Sequence, residues 1–108
     1  MGFQVGAALL DACVLSLLQK EDTYGYILTQ TLRTVLNVSE STLYPVLRRL
    51  QKVGFLSAYD RPYQGRNRRY YAITEKGVEQ VGTYRRDWVA YRGRVDRLMC
   101  GGGVDGQA

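Results

Sequence analysis

Arginine and lysine are the residues of this chain best placed to do chemistry, and they are unevenly spread. Residues 33–69 hold eight cations (Arg33, Arg48, Arg49, Lys52, Arg61, Arg66, Arg68, Arg69) against two acids, Glu40 and Asp60, a balance of +6. The rest of the chain holds seven cations and eight acids. One third of the sequence thus carries the whole excess, as a surface that meets a polyanion requires. A solvated basic face without a partner has the same composition. Catalysis has little to work with. Histidine is absent, which removes the commonest general base, His-based metal sites and the usual pH switch. No nucleophile can be paired with a base, so no enzymatic activity is expected. Cys13 and Cys100 are too far apart to form a CxxC pair or a zinc cluster, and no metal or cofactor is expected.

These cations need elements to position them. At 108 residues, 45% hydrophobic and 23% charged, the chain fits one soluble domain with a modest core. Its longest apolar run, Ala7 to Leu18, contains Asp11 and Ser16 and is too short to span a bilayer. It also lacks the basic flank and cleavage site of a signal peptide. Two thiols without secretory features suit a reducing cytoplasm better than a disulfide, which leaves cytoplasmic as the expected location.

Residues 7–19 are apolar nearly all round and rich in Ala and Leu, which suits a buried helix. A second helix is expected from Asp22 or Thr23 as N-cap, with Leu28, Leu32, Val35 and Leu36 on its apolar face and Asn37 at its end. A third is expected from Ser39 as N-cap to Val53 before Gly54, with an apolar stripe of Leu43, Val46, Leu47, Leu50 and Val53. Its opposite face presents Ser41, Tyr44, Pro45, Arg48 and Lys52. Pro45 lies beyond the first turn, where its ring and missing N–H cost helix stability.

Two β-rich runs, 55–59 and 68–74, flank a polar stretch with Pro62 and Gly65, which predicts a two-stranded hairpin with a long tip over 60–67. Thr74 is placed to cap a last helix. Three helices and a basic hairpin follow the winged helix-turn-helix order, a mostly α fold with a small β-hairpin (α+β). In the last helix Val81, Tyr84, Trp88, Tyr91, Val95 and Leu98 alternate by three and four residues, two and a half heptads of seam positions. With one such helix per chain, self-association about a two-fold axis covers the seam most simply. The expected division is a DNA-binding unit over 1–74, a dimerisation helix over 75–100 and a disordered tail over 101–108.

These residues resemble the PadR family of bacterial transcriptional regulators over roughly positions 9–98. The landmarks are Tyr24-Gly25-Tyr26, Thr42-Leu43-Tyr44-Pro45 with Arg49-Leu50, Gly54, Gly65-Arg66-Asn67-Arg68-Arg69-Tyr70-Tyr71, and Ile73-Thr74 with Gly77. The resemblance implies a dimer that binds operator DNA, usually as a repressor relieved by a small molecule. The single C-terminal helix is similar to the short-chain subgroup, some of whose members sense drugs or other toxic aromatic compounds. Glu40 departs from the pattern, since many relatives have Gly or a neutral residue there. Near DNA it would either repel phosphate or accept a hydrogen bond from a cytosine N4.

In this frame Ser39, Ser41, Thr42 and Tyr44 lie at the end of the recognition helix that reaches base edges, with Ser39 chiefly a cap. Arg48 and Lys52 fit phosphate contacts; for Arg49, DNA and a structural salt bridge are both open. In the wing, Arg66, Arg68 and Arg69 surround a turn without a nearby acid, which suits phosphates or the minor groove. Tyr70 and Tyr71 point to opposite faces of their strand, which places one in the core and the other near DNA; Tyr24 and Tyr26 read as packing residues. Trp88 is the expected sensor if a flat aromatic ligand stacks between two seam indoles, and otherwise an interface anchor. Tyr84, Tyr91 and Arg92 would share that space with Val5 and Leu9, and Arg92 would disfavour a cationic ligand.

Three other functions fit less of the chain. An adaptor that docks proteins without DNA requires an acidic or apolar recognition surface. An aromatic-ligand carrier leaves the basic wing unexplained. A single-strand binder needs tyrosines free to stack on bases, whereas most of the nine fall on expected core or seam positions.

Overall fold

The structure, a computed structural model, describes residues 6–101. Among these are α1 (Ala7–Lys20), β1 (Thr23–Tyr24), α2 (Gly25–Leu36), α3 (Glu40–Lys52), β2 (Leu56–Tyr63), β3 (Arg66–Ile73) and α4 (Glu75–Met99). Val5 and the tail beyond Gly101 lie outside the described residues.

The core is one cluster to which every helix contributes: Leu10, Val14, Leu15 and Leu18 from α1, Leu28 and Leu32 from α2, Leu43, Val46, Leu47 and Leu50 from α3, and Val81 from α4. Leu56 of β2 closes it. α1 buries a stripe rather than its whole surface. Leu9, Ala12, Cys13 and Leu17, expected inside, are only partly covered and face a groove described below. Val35 and Val53, assigned to the apolar faces of α2 and α3, are 72% and 41% exposed. Val35 borders an open groove between α1, α2 and α4 instead of filling the core, and Val53 is the cap residue that follows α3.

Local chemistry sets the helix ends of the helix-turn-helix. Asn37 takes the left-handed conformation (φ 57°, ψ 44°), and its N–H donates to the Arg33 carbonyl; a short polar side chain tolerates this geometry. Ser39 Oγ then accepts from the Thr42 N–H at 3.2 Å, capping α3. Gly54 ends that helix at φ 89°. Pro45 sits inside α3 on its exposed side, so the Ser41 carbonyl it leaves without an intrahelical donor lies where water can reach it.

Two expectations fail around the sheet. Thr23 does not cap α2. It pairs with Tyr71 as Tyr24 pairs with Tyr70, making β1 a short third strand in the antiparallel order β1-β3-β2. Its hydroxyl donates to the Glu21 carbonyl at 3.0 Å. The free edge of β3 offers ladder hydrogen bonds, and these outweigh one side-chain cap. The hairpin tip is also short. β2 and β3 pair from Leu56↔Ile73 to Tyr63↔Arg66, leaving Gln64 (φ 50°) and Gly65 (φ 79°) as a two-residue turn with both residues left-handed, the type whose twist matches its strands. Pro62 does not end β2. It pairs with Asn67, one step from the closing pair, where antiparallel partners exchange no hydrogen bonds, and β2 is an edge strand.

Thr74 caps α4 as expected. Its Oγ1 accepts from the Gly77 N–H at 3.0 Å and donates to the Gly54 carbonyl at 2.7 Å. A Cβ on Gly77 would overlap the Phe55 carbonyl oxygen, so the close approach of α4 to the start of the wing depends on this glycine.

Candidate nucleic-acid interface

The α3 stripe described above turns the other side of the helix outward: Ser41, Tyr44, Pro45, Arg48 and Lys52 are all exposed, Tyr44 by 50%. At the N-terminal end three hydroxyls cluster, with Ser39 Oγ lying 2.9 Å from Ser41 Oγ and 3.0 Å from Thr42 Oγ1. Their hydrogen atoms rotate, so the cluster can present donors or acceptors. Glu40, the first helical residue, faces α2, where Arg33 Nη1 lies 3.6 Å from its Oε2.

Arg49 belongs to the fold. Its guanidinium donates to both oxygens of Asp11, at 2.9 and 2.6 Å. Asp11 is 4% exposed, so a charge from α1 buried in the interior is matched by one from α3. Tyr84 of α4 donates to the same carboxylate at 3.5 Å. The hydrogen bonds to Asp11 push the Arg49 guanidinium above its ordinary, already high, pKa.

In the wing the three expected arginines differ. Arg66, beside the turn, is exposed. Arg68 is sandwiched, its guanidinium carbon 4.4 Å from the Tyr24 ring centre and 3.6 Å from that of Tyr63. Arg69 lies 3.6 Å from Asp60. The expectation of a turn without a nearby acid is therefore wrong for Arg69, because the short tip makes Asp60 its direct cross-strand partner. Arg61, absent from the expected set, lies across from Arg68 and 4.8 Å from the Tyr70 ring. It was hidden by the same misjudged tip, since the cross-strand register alone brings it beside the others.

Tyr70 and Tyr71 take opposite faces of β3. Tyr71 packs against the core, while Tyr70 stacks on Tyr59, with ring centres 5.7 Å apart, and approaches Tyr24 at 5.8 Å. Tyr59 donates to Asp22 at 2.7 Å, and holding its proton there raises the phenol's pKa.

The heptad seam of α4 divides in two. Val81 is 1% exposed inside its own chain and drops out of any interface; Tyr84 is turned in towards Asp11. Beyond them Trp88, Tyr91 and Leu98 are 39%, 56% and 85% exposed. The sequence period could not mark this boundary, because α1 covers the first turns of α4 with the same apolar positions. Beside Trp88 runs an apolar groove of about 520 Å³ lined by α1, α2 and α4, among them Leu9, Cys13, Leu17, Val35 and Arg85. Of the expected ligand residues it includes Trp88 and Leu9, but not Tyr84, Tyr91 or Arg92. Burial raises the pKa of the Cys13 thiol; both cysteines are free. Among the described residues no acidic or thiol cluster could hold a metal, and no helix is long and apolar enough to cross a membrane.

A helix-turn-helix followed by a basic wing is the arrangement of known regulators, and residues 14–83 match the model of the transcriptional regulator PadR-like family. The chain belongs to the PadR-like family. A protein of Lysinibacillus sphaericus is 32% identical over 97 residues, covering 85% of this chain and 89% of its own. The crystal structure of a Streptococcus mutans protein superposes with a TM-score of 0.84 at 36% identity, covering 100% of this chain and 97% of that one. A PadR-like transcriptional regulator from Bacillus cereus gives 0.76 at 33% identity, covering 83% and 90%. The chain is thus a winged-helix DNA-binding regulator of the PadR type rather than an enzyme.

Proposed function

We propose that this PadR-like chain acts as a dimeric repressor, with 1–74 reading DNA and the helix over 75–100 holding two copies together. The observation that carries the reading is the exposure of Arg48, Lys52 and Arg66 alongside a capped helix end rich in hydroxyls. Ser41, Thr42 and Tyr44 would meet base edges in the major groove, with Ser39 as their cap. Arg48 and Lys52 would hold phosphates, and Arg66 would hold the backbone or minor groove beside the wing. Arg68 and Arg69 add field more than contact, being engaged within the sheet. A second copy would cover Trp88, Tyr91, Val95 and Leu98, placing two α3 helices about 34 Å apart on a pseudo-palindrome.

The groove beside Trp88 supports a further part of the reading, release of the operator by a small aromatic ligand. Uptake there would favour one seam geometry, and a few kcal/mol of differential affinity suffices to shift the population.

The deciding experiment is an anisotropy titration against the DNA upstream of the chain's own gene and a shuffled control, at about 50 and 200 mM salt. Tight, salt-sensitive binding that prefers the upstream fragment supports the proposal, and sedimentation at the same concentrations reports the dimer. Absence of binding at low salt would instead favour the protein-adaptor role. Trp88 is the chain's one tryptophan, so its fluorescence reports ligand uptake directly.

A further inference from the structure

The acid at the start of the recognition helix has its own support on α2. Glu40 is half-exposed, with 41% of its side chain accessible, and Arg33 lies 3.6 Å from it. Arg33 in turn donates to Gln30 Oε1 at 2.8 Å, and Gln30 donates to the Tyr26 hydroxyl at 3.1 Å. Residues 26, 30 and 33 follow i, i+4 and i+3 spacing, so they lie along one face of α2 and lead to the helix that enters the groove.

A bare carboxylate would be a poor choice so close to DNA phosphates. Arg33 offsets its charge, and Gln30 keeps Arg33 in place. A supported carboxylate is an acceptor only. Guanine and thymine offer acceptors at their major-groove edges, adenine places its N7 acceptor beside N6, and cytosine presents its N4 donor alone. We infer that Glu40 is a specificity-determining residue that selects cytosine at one position in each half-site, with Arg33 as its positioning residue. This rests on the DNA-binding reading above and decides between the two roles that the sequence left open for Glu40.

The test selects duplexes from a random pool of about 20 base pairs, long enough for two half-sites, using full-length wild-type, Glu40→Gln and Glu40→Ala chains. The wild type should enrich cytosine at one position per half-site, and changing that pair should weaken binding about tenfold. Glu40→Gln should move the preference there to adenine, because an amide can pair with N6 and N7 together. Glu40→Ala should flatten that position and leave the others unchanged. Arg33→Met should weaken the cytosine preference without creating a new one. Superimposable profiles for wild type and both Glu40 variants overturn the inference while leaving the DNA-binding reading intact. A wild-type chain that enriches no sequence overturns both. Far-ultraviolet circular dichroism on each variant establishes that the helices are intact.

Discussion

Replacing Arg49 by Met tests the link between the DNA-reading helix and the rest of the fold. Asp11 takes two short hydrogen bonds from Arg49 and one long one from Tyr84, so the substitution leaves a buried carboxylate with a single weak donor. Breaking a buried ion pair from one side typically costs about 3–5 kcal/mol. Here 46% of the Arg49 side chain is exposed against 6% for Asp11, and water entering the vacated site would solvate part of the charge. The expected loss is therefore about 2–3 kcal/mol, which for a chain of this size lowers Tm by roughly 10–20 °C. Urea unfolding at fixed protein concentration reads it, since dimerisation makes stability concentration-dependent. The double variant Asp11→Leu, Arg49→Met removes the stranded charge and should recover most of the loss. A loss below about 0.5 kcal/mol for Arg49→Met, or no recovery in the double variant, would refute the assignment of Arg49 to the fold.

Four further outcomes follow from the geometry. Arg66→Ala should reduce the slope of log affinity against log salt by about 0.9, the value of one phosphate contact. Arg68→Ala should change the slope less but quicken amide exchange in β2, because it removes the cation held between Tyr24 and Tyr63. The Tyr59 phenol donates its proton to Asp22, so its folded pKa is raised above the ordinary 10.0. Its contribution to stability is complete below pH 10 and is lost as pH rises through the higher folded value. Tyrosinate absorbance should therefore show one late-titrating tyrosine that moves earlier in Asp22→Ala. Gly77→Ala should destabilise by about 1–3 kcal/mol through overpacking against Phe55, measured by the same urea midpoint.

Much of the helix-turn-helix was legible because its signals are local. Ser39, Asn37 and Gly54 mark ends through their own backbone and side-chain chemistry, and Leu43, Val46, Leu47 and Leu50 repeat at the helical period. What stayed hidden depends on partners distant in sequence. β1 exists because β3 has a free edge, and no property of Thr23 announces that edge. Pro62 reads as a break until β2 is known to lie outermost. The same register decides that Arg69 faces Asp60 and that Arg61 joins the tyrosines, so misjudging the tip concealed both. Four tyrosines, Tyr24, Tyr59, Tyr63 and Tyr70, line the outer surface of the sheet, and Tyr26 of α2 adjoins Tyr24, so five lie outside core and seam. The pairing of Asp11 with Arg49 joins positions 38 residues apart. A structural salt bridge was open for Arg49, but no local signal names Asp11 as its partner.

The sheet has a consequence for how the protein behaves in concentrated solution. Among the described residues the outer side of β2 has no strand partner, and β1 covers β3 only at Tyr70 and Tyr71, so the distal wing presents ladder groups unpaired by any described strand on both sides. Exposed strand edges template pairing with other chains, and charges and proline on an edge oppose it. Arg61, Pro62, Arg66, Arg68 and Arg69 stand along these edges and act as gatekeepers against aggregation. Neutralising several of them together would remove that barrier, and the resulting protein would tend to precipitate with no nucleic acid present.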